Sequence, residues 1–98
     1  MTIQHTVVFR LAHAPGSPEA TEFLDTARAT LSGIPGVTDF AISRQVSAKS
    51  DLDWRFSMVF ADQAAFDGYS THPDHVGFVQ GRWVPEVMAF QEYDFVSR

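Results

Sequence analysis

Tyr69 and His75 stand six residues apart in the stretch YSTHPDHVGF (residues 69–78), with His72 and Pro73 between them. Abstraction of a proton next to a carbonyl group needs a base that is partly neutral near working pH, and the ordinary imidazole pKa of about 6.5 meets that need. It also needs a donor for the forming enolate oxygen, a role open to a tyrosine hydroxyl of pKa about 10. In this reading His75 takes the proton, Tyr69 donates a hydrogen bond to the substrate oxygen, and His5 orients or shuttles.

Each of these side chains also has a structural reading. Tyr69 follows Phe66 by one helical turn and suits an apolar helix face with its hydroxyl at the rim. His5 falls on the apolar face of a strand, where a hydrogen-bonded core histidine is the ordinary occupant. His75, beside Val76 and Val79, suits a solvent-facing position as well as a pocket. Pro73 drives the residue before it out of helical geometry, so His72 reads as a helix end, and His13 in a loop of Ala, Pro and Gly reads as exposed. The three-residue offset of His72 and His75 could serve a metal with His5 as a third ligand. Pro73 lies inside that pair and Asp74 is its one nearby carboxylate, so no metal is expected.

The elements that must position these residues follow from periodicity. Ile3, Val7, Phe9 and Leu11 alternate with Gln4, Thr6, Val8 and Arg10, which predicts a strand over 3–11 with His5 on the apolar side. Ser17 and Pro18 are a cap and first residue for a helix whose stripe is Ala20, Phe23, Leu24, Ala27 and Leu31. Gly33, Pro35 and Gly36 end it, and a second strand is predicted over Val37–Val46 with Phe40, Ile42 and Val46 on one face. Ser47–Asp51 reads as a polar turn. The third strand is the plainest, with Trp54, Phe56, Met58 and Phe60 alternating with Arg55, Ser57, Val59 and Ala61.

Asp62 is a predicted N-cap for a helix carrying Ala65, Phe66 and Tyr69, ended by Pro73. A further short helix is predicted from Pro73 to about Val84, with Val76, Val79 and Trp83 at core spacing and Pro85 as its stop. Val87–Val96 reads as a last strand. The order β-α-β-β-α-β implies an α+β, ferredoxin-like sandwich: an antiparallel four-stranded sheet with helices on one face. The other face would offer Thr6, Val8, Arg10, Ser57 and Val59 to water or to a second subunit.

The 98 residues, 45% hydrophobic and 19% charged, suit a single domain over 1–98. Nine Phe, two Trp and two Tyr in so short a chain favour a homodimer that covers part of that surface. A net charge of −5, with seven Lys and Arg spread singly, argues against nucleic acid and anionic membrane surfaces as partners. The absence of cysteine excludes disulfides, thiolate metal sites and a cysteine nucleophile. No basic leader and no run near ~18 apolar residues is present, so a cytoplasmic protein is expected.

Two stretches, Ile3-Gln4-His5-Thr6-Val7-Val8-Phe9-Arg10 and residues 69–78, together resemble the stress-responsive A/B barrel (Dabb) family within the dimeric α+β barrel superfamily. The resemblance implies a protomer that dimerises by packing the uncovered sheet faces into a barrel. It is similar in the HPxHVGF run to a plant polyketide cyclase of that family, which closes a linear polyketide thioester by an intramolecular aldol reaction. That similarity implies Tyr69 and His75 as a catalytic pair and His5 as a pocket residue. The cyclase has a tyrosine where this chain has Ala27 and a histidine where it has Trp54, which implies a different substrate. With His5, the aromatic residues Phe23, Trp54, Phe78 and Trp83 are expected to line a pocket for a hydrophobic small molecule, without a cofactor. The alternatives are a noncatalytic stress-response dimer whose pocket is filled by side chains, and a monooxygenase of the same superfamily. A haem with His75 as axial ligand is conceivable, but the Asn, Trp and His constellation of the haem-degrading members is not recognisable.

Overall fold

The structure is a computed structural model describing residues 1–98. Its strands are β1 (Ile3–Leu11), β2 (Thr38–Arg44), β3 (Trp54–Phe60) and β4 (Val87–Phe95), in the spatial order β2-β3-β1-β4, all antiparallel. The helices are α1 (Pro18–Leu31), α2 (Gln63–Thr71), α3 (Pro73–Phe78) and the single turn α4 (Val84–Glu86), with a π-helical turn (Val79–Trp83) joining the last two. This is the expected α+β ferredoxin-like arrangement. None of the helices is long and apolar enough to cross a membrane.

The period-two pattern places one face of the sheet under the helices. Val7, Phe9, Phe56, Met58 and Phe60 from β1 and β3 meet Ala20, Phe23, Ala27 and Leu31 of α1 in one buried cluster that also takes in Tyr69 and Phe78. Phe9, Phe23, Phe56 and Phe60 are sealed from solvent, and fully burying one aromatic of this size stabilises by roughly 1.5–3 kcal/mol. Ser17 caps α1 by accepting a hydrogen bond from the Ala20 amide, and Pro18 occupies its first turn. Asp62 does the same for α2 through the Ala65 amide at 2.9 Å.

Three expected boundaries move. β2 stops at Arg44, and Val46, expected on its inner face, is 87% exposed. The cause is Gln45, whose side chain turns into the loop, donating to the Leu52 carbonyl at 2.5 Å and accepting from the Ser47 amide. The helix expected to run unbroken to Val84 changes pairing after Phe78. Within α3 the buried residue is Phe78 while Val76 is exposed, and the π turn that follows adds a residue to the helical path, so the stripe beyond it no longer keeps α-helical spacing. Pro85 does not stop the helical path. It sits in the first turn of α4, where its missing N–H leaves no further donor unpaired.

On the uncovered face Thr6 and Ser57 are direct cross-strand partners and are shielded by their neighbours, while Val8 and Val59 are half-buried. Arg10 is held by Asp51 of the β2–β3 loop at 2.5 Å, so that loop lies over one end of the face. At the β4 edge Tyr93 and Phe95 are exposed and stacked on each other, with ring centroids 5.9 Å apart.

Candidate active site

Four elements bring the polar groups together. β1 carries His5 on its helix face, and register places Asp94 of β4 directly beside it, with Glu92 opposite Val7 two residues away. Nδ1 of His5 donates to Asp94 Oδ1 at 2.6 Å, because an ionised carboxylate can only accept. Its Nε2 lies 3.7 Å from Glu92 Oε2.

α2 ends on Tyr69 and its neighbours, and the chain then turns sharply at His72. The His72 backbone is extended, as Pro73 requires, and its ring Nδ1 accepts from the Asp74 amide at 3.1 Å, capping α3. This double turn folds His75 back over α2. Nδ1 of His75 donates to the Ser70 carbonyl at 3.0 Å, which leaves Nε2 as the nitrogen with a free lone pair. The Tyr69 and His75 rings come within 4.4 Å, centroid to centroid, and Tyr69 and His5 within 6.4 Å.

Burial sets the protonation states of this pair. It pushes the Tyr69 phenol well above its ordinary value, with the Glu92 charge adding to the effect, so the hydroxyl stays a donor. It lowers His75 below the usual imidazole range, against the opposing pull of the Ser70 carbonyl, so the ring is held neutral.

His5, Tyr69, His75 and Glu92 all line one cavity of about 340 Å³ between the sheet and the α3–π–α4 segment. Its other walls are apolar: Val7, Leu31, Phe56, Met58, Phe78, Val79, Trp83, Val84 and Phe90. That is the composition of a small-molecule site, with few polar groups converging in an apolar hollow. A broader depression of about 640 Å³, where Ala48–Leu52 meets Ala89–Gln91, is open and holds none of the histidines.

Of the expected residues, His5, Tyr69, His75, Phe78 and Trp83 share this cavity; Phe23 and Trp54 do not. Phe23 lies behind it in the core, packed on Phe9, Phe78 and Trp83. Trp54 is on the correct sheet face but four residues along β3 from Met58, the partner of His5, which is about 13 Å of strand. Its indole lies under the Arg44 guanidinium, and its Nε1 is buried without a hydrogen-bond partner. His13 is not free either, since it donates to Glu86 at 2.8 Å in a chain of contacts that runs on through Arg82 to Glu22. Glu92, Asp94 and Phe90 were not expected at the site; the alternation Phe90, Glu92, Asp94 against Gln91, Tyr93, Phe95 is the signal that places them on one face. No group of three or more His, Asp or Glu side chains is arranged to hold a metal ion.

A family model for the stress responsive A/B barrel domain matches residues 3–97. The chain is 55% identical to a Dabb family protein with a ferredoxin-like fold from Mesorhizobium loti, at a TM-score of 0.97 over 99% of this chain and 97% of that one. A dimeric ferredoxin-like protein of unknown function from Thermobifida fusca shares the fold at 19% identity and a TM-score of 0.80, covering 99% of this chain and 92% of that one. A hydroxynitrile lyase from Passiflora edulis shares it at 11% identity and a TM-score of 0.84, covering 99% and 94%. No curated protein matches the chain in sequence.

Proposed function

The chain belongs to the stress responsive A/B barrel domain family, and we propose that it is a cofactor-independent enzyme of that family, a homodimer performing acid–base chemistry on a hydrophobic, polyketide-like carbonyl compound. The observation that carries the reading is the meeting of Tyr69, His75 and His5 in one apolar cavity of about 340 Å³.

Nε2 of His75 takes a proton from the carbon next to the carbonyl. The electron pair of that C–H bond forms the C=C bond of the enolate, and the carbonyl π pair moves to oxygen, where the Tyr69 hydroxyl donates its hydrogen bond. For a substrate with a second carbonyl in reach, the enolate carbon attacks it, and the new alkoxide recovers the proton from His75. The neutral imidazole and the protonated phenol favoured by burial are the states this sequence starts from. Asp94 fixes the His5 ring through Nδ1, so that Nε2 is left as an acceptor that can orient a hydroxyl of the compound from the opposite wall.

The test is proton exchange of 4-phenylbutan-2-one in D2O, followed by NMR. Native protein is expected to accelerate loss of the signals next to the carbonyl. His75→Ala should slow this at least about 100-fold and Tyr69→Phe about 10- to 100-fold, the range of a single general acid–base group. Exchange unchanged in both variants would overturn the assignment.

A further inference from the structure

The cavity wall carries a negative charge with no positive charge to match it. Glu92 lines it from β4, and its carboxylate accepts no hydrogen bond within the protomer; its nearest cationic partner is Nε2 of His5 at 3.7 Å. Asp94 already engages His5 through Nδ1 at 2.6 Å, so Glu92 has no cation of its own. No Lys or Arg lines the cavity. Arg82, on the π turn that forms one wall, has its guanidinium divided between Glu22 and Glu86, the latter at 2.6 Å.

We infer that Glu92 determines specificity here: the pocket accepts uncharged carbonyl compounds and rejects those that carry a carboxylate beside the reacting carbonyl. This rests on the carbonyl reading of the site. A carboxylate entering beside Glu92 meets a like charge at the rim of the cavity, where the Glu92 side chain is 56% exposed; with that exposure the effective dielectric lies between about 20 and 80, and the repulsion of two charges in contact corresponds to about a ten-fold loss of affinity. An amide of the same shape meets no such repulsion and can donate an N–H to Glu92.

Benzoylacetamide and benzoylacetate differ only in that group. Their binding is read by quenching of Trp83 emission in a Trp54→Phe background, where Trp83 is the one remaining indole and sits in the cavity wall. At about 0.01 M salt the amide is expected to bind about ten-fold more tightly than the acid. The gap should narrow near 1 M salt, where the screening length falls to about 3 Å. In Glu92→Gln the acid should bind within about three-fold of the amide. Equal binding of the two compounds, a gap that neither salt nor Glu92→Gln alters, or binding of neither compound overturns the inference. Because the readout is binding, absence of catalysed exchange with 4-phenylbutan-2-one would remove the enzymatic reading and leave this result standing. Catalysed exchange together with equal binding would do the reverse.

Discussion

Protonation of His75 links the chemistry of the site to its stability. Burial holds the imidazole below its ordinary pKa in the folded chain, so between that lowered value and about 6.5 the unfolded chain binds a proton that the native chain does not. Stability contributed by this group is therefore complete above about pH 6.5 and falls as the pH drops through the lowered value. The melting temperature of the native chain is expected to decline from pH 7 to pH 5, and His75→Gln should decline less; equal slopes would show that other groups dominate. Catalysed exchange should have its acid limb below about pH 6.5 for the same reason. Tyr69 and His75 were legible from the sequence because a tyrosine at an apolar helix position and a proline-forced turn are local features. Glu92 and Asp94 were not, since a strand rich in exposed charge looks like a solvated edge until pairing with His5 is known. Trp54 shows the converse limit: alternation states its face but not its distance along the sheet. Because its Nε1 is buried and unpaired, Trp54→Phe should leave thermal stability within about 1 kcal/mol of native, where loss of a well-packed Trp to Ala costs about 3–5 kcal/mol.

The elements act through the angle between α2 and α3. Tyr69 lies in the last turn of α2, His72 caps α3, and the His75–Ser70 hydrogen bond ties the second helix back to the first, so Tyr69 and His75 are held side by side by backbone geometry. Where α2 starts is set by Asp62. Asp62→Ala removes the acceptor for the Ala65 amide and is expected to lower stability by about 1 kcal/mol in urea titration, with Asp62→Asn close to native. An unchanged midpoint in Asp62→Ala would mean that packing of Phe66 on Phe60, at 5.1 Å, fixes the helix start without the cap. Strand alternation, helix caps and the Pro73 junction are local and could be read in advance, as the match of β1, α1 and β3 to their expected ranges illustrates. The π turn could not. Its extra residue depends on how Trp83 packs against Phe9 and Phe90 and on Arg82 reaching Glu22 of α1, contacts between segments far apart in the chain. The short β2 has the same kind of cause, since the side chain of Gln45 outcompetes the ladder by gathering the loop around itself.

At the scale of the molecule the sheet has one covered and one bare face, and the bare one is central to how the chain would exist in solution. Its middle is built of short or β-branched side chains, Thr6 and Val8 on β1 beside Ser57 and Val59 on β3, flanked at the β4 edge by the stacked, exposed Tyr93 and Phe95. A flat patch of this kind loses apolar area to water unless it is covered, and two copies packed sheet to sheet would cover it without disturbing the helices over the cavity. The Thermobifida fusca protein that shares this fold is itself dimeric. Val8 is the position that discriminates, because its cross-strand neighbour Arg55 and its chain neighbour two residues on, Arg10, already place cations on this face. Val8→Arg would set a third cation beside them and oppose an equal set from the other copy, a like-charge juxtaposition that costs several kcal/mol at an interface. The variant should sediment as a monomer at concentrations where the native chain sediments as a dimer, while His5, on the opposite face of the same strand, keeps its place in the cavity. A native chain that sediments as a monomer would rule out the dimer. A Val8→Arg dimer as tight as the native one would move the interface away from the bare face, most directly to the exposed edge of β4.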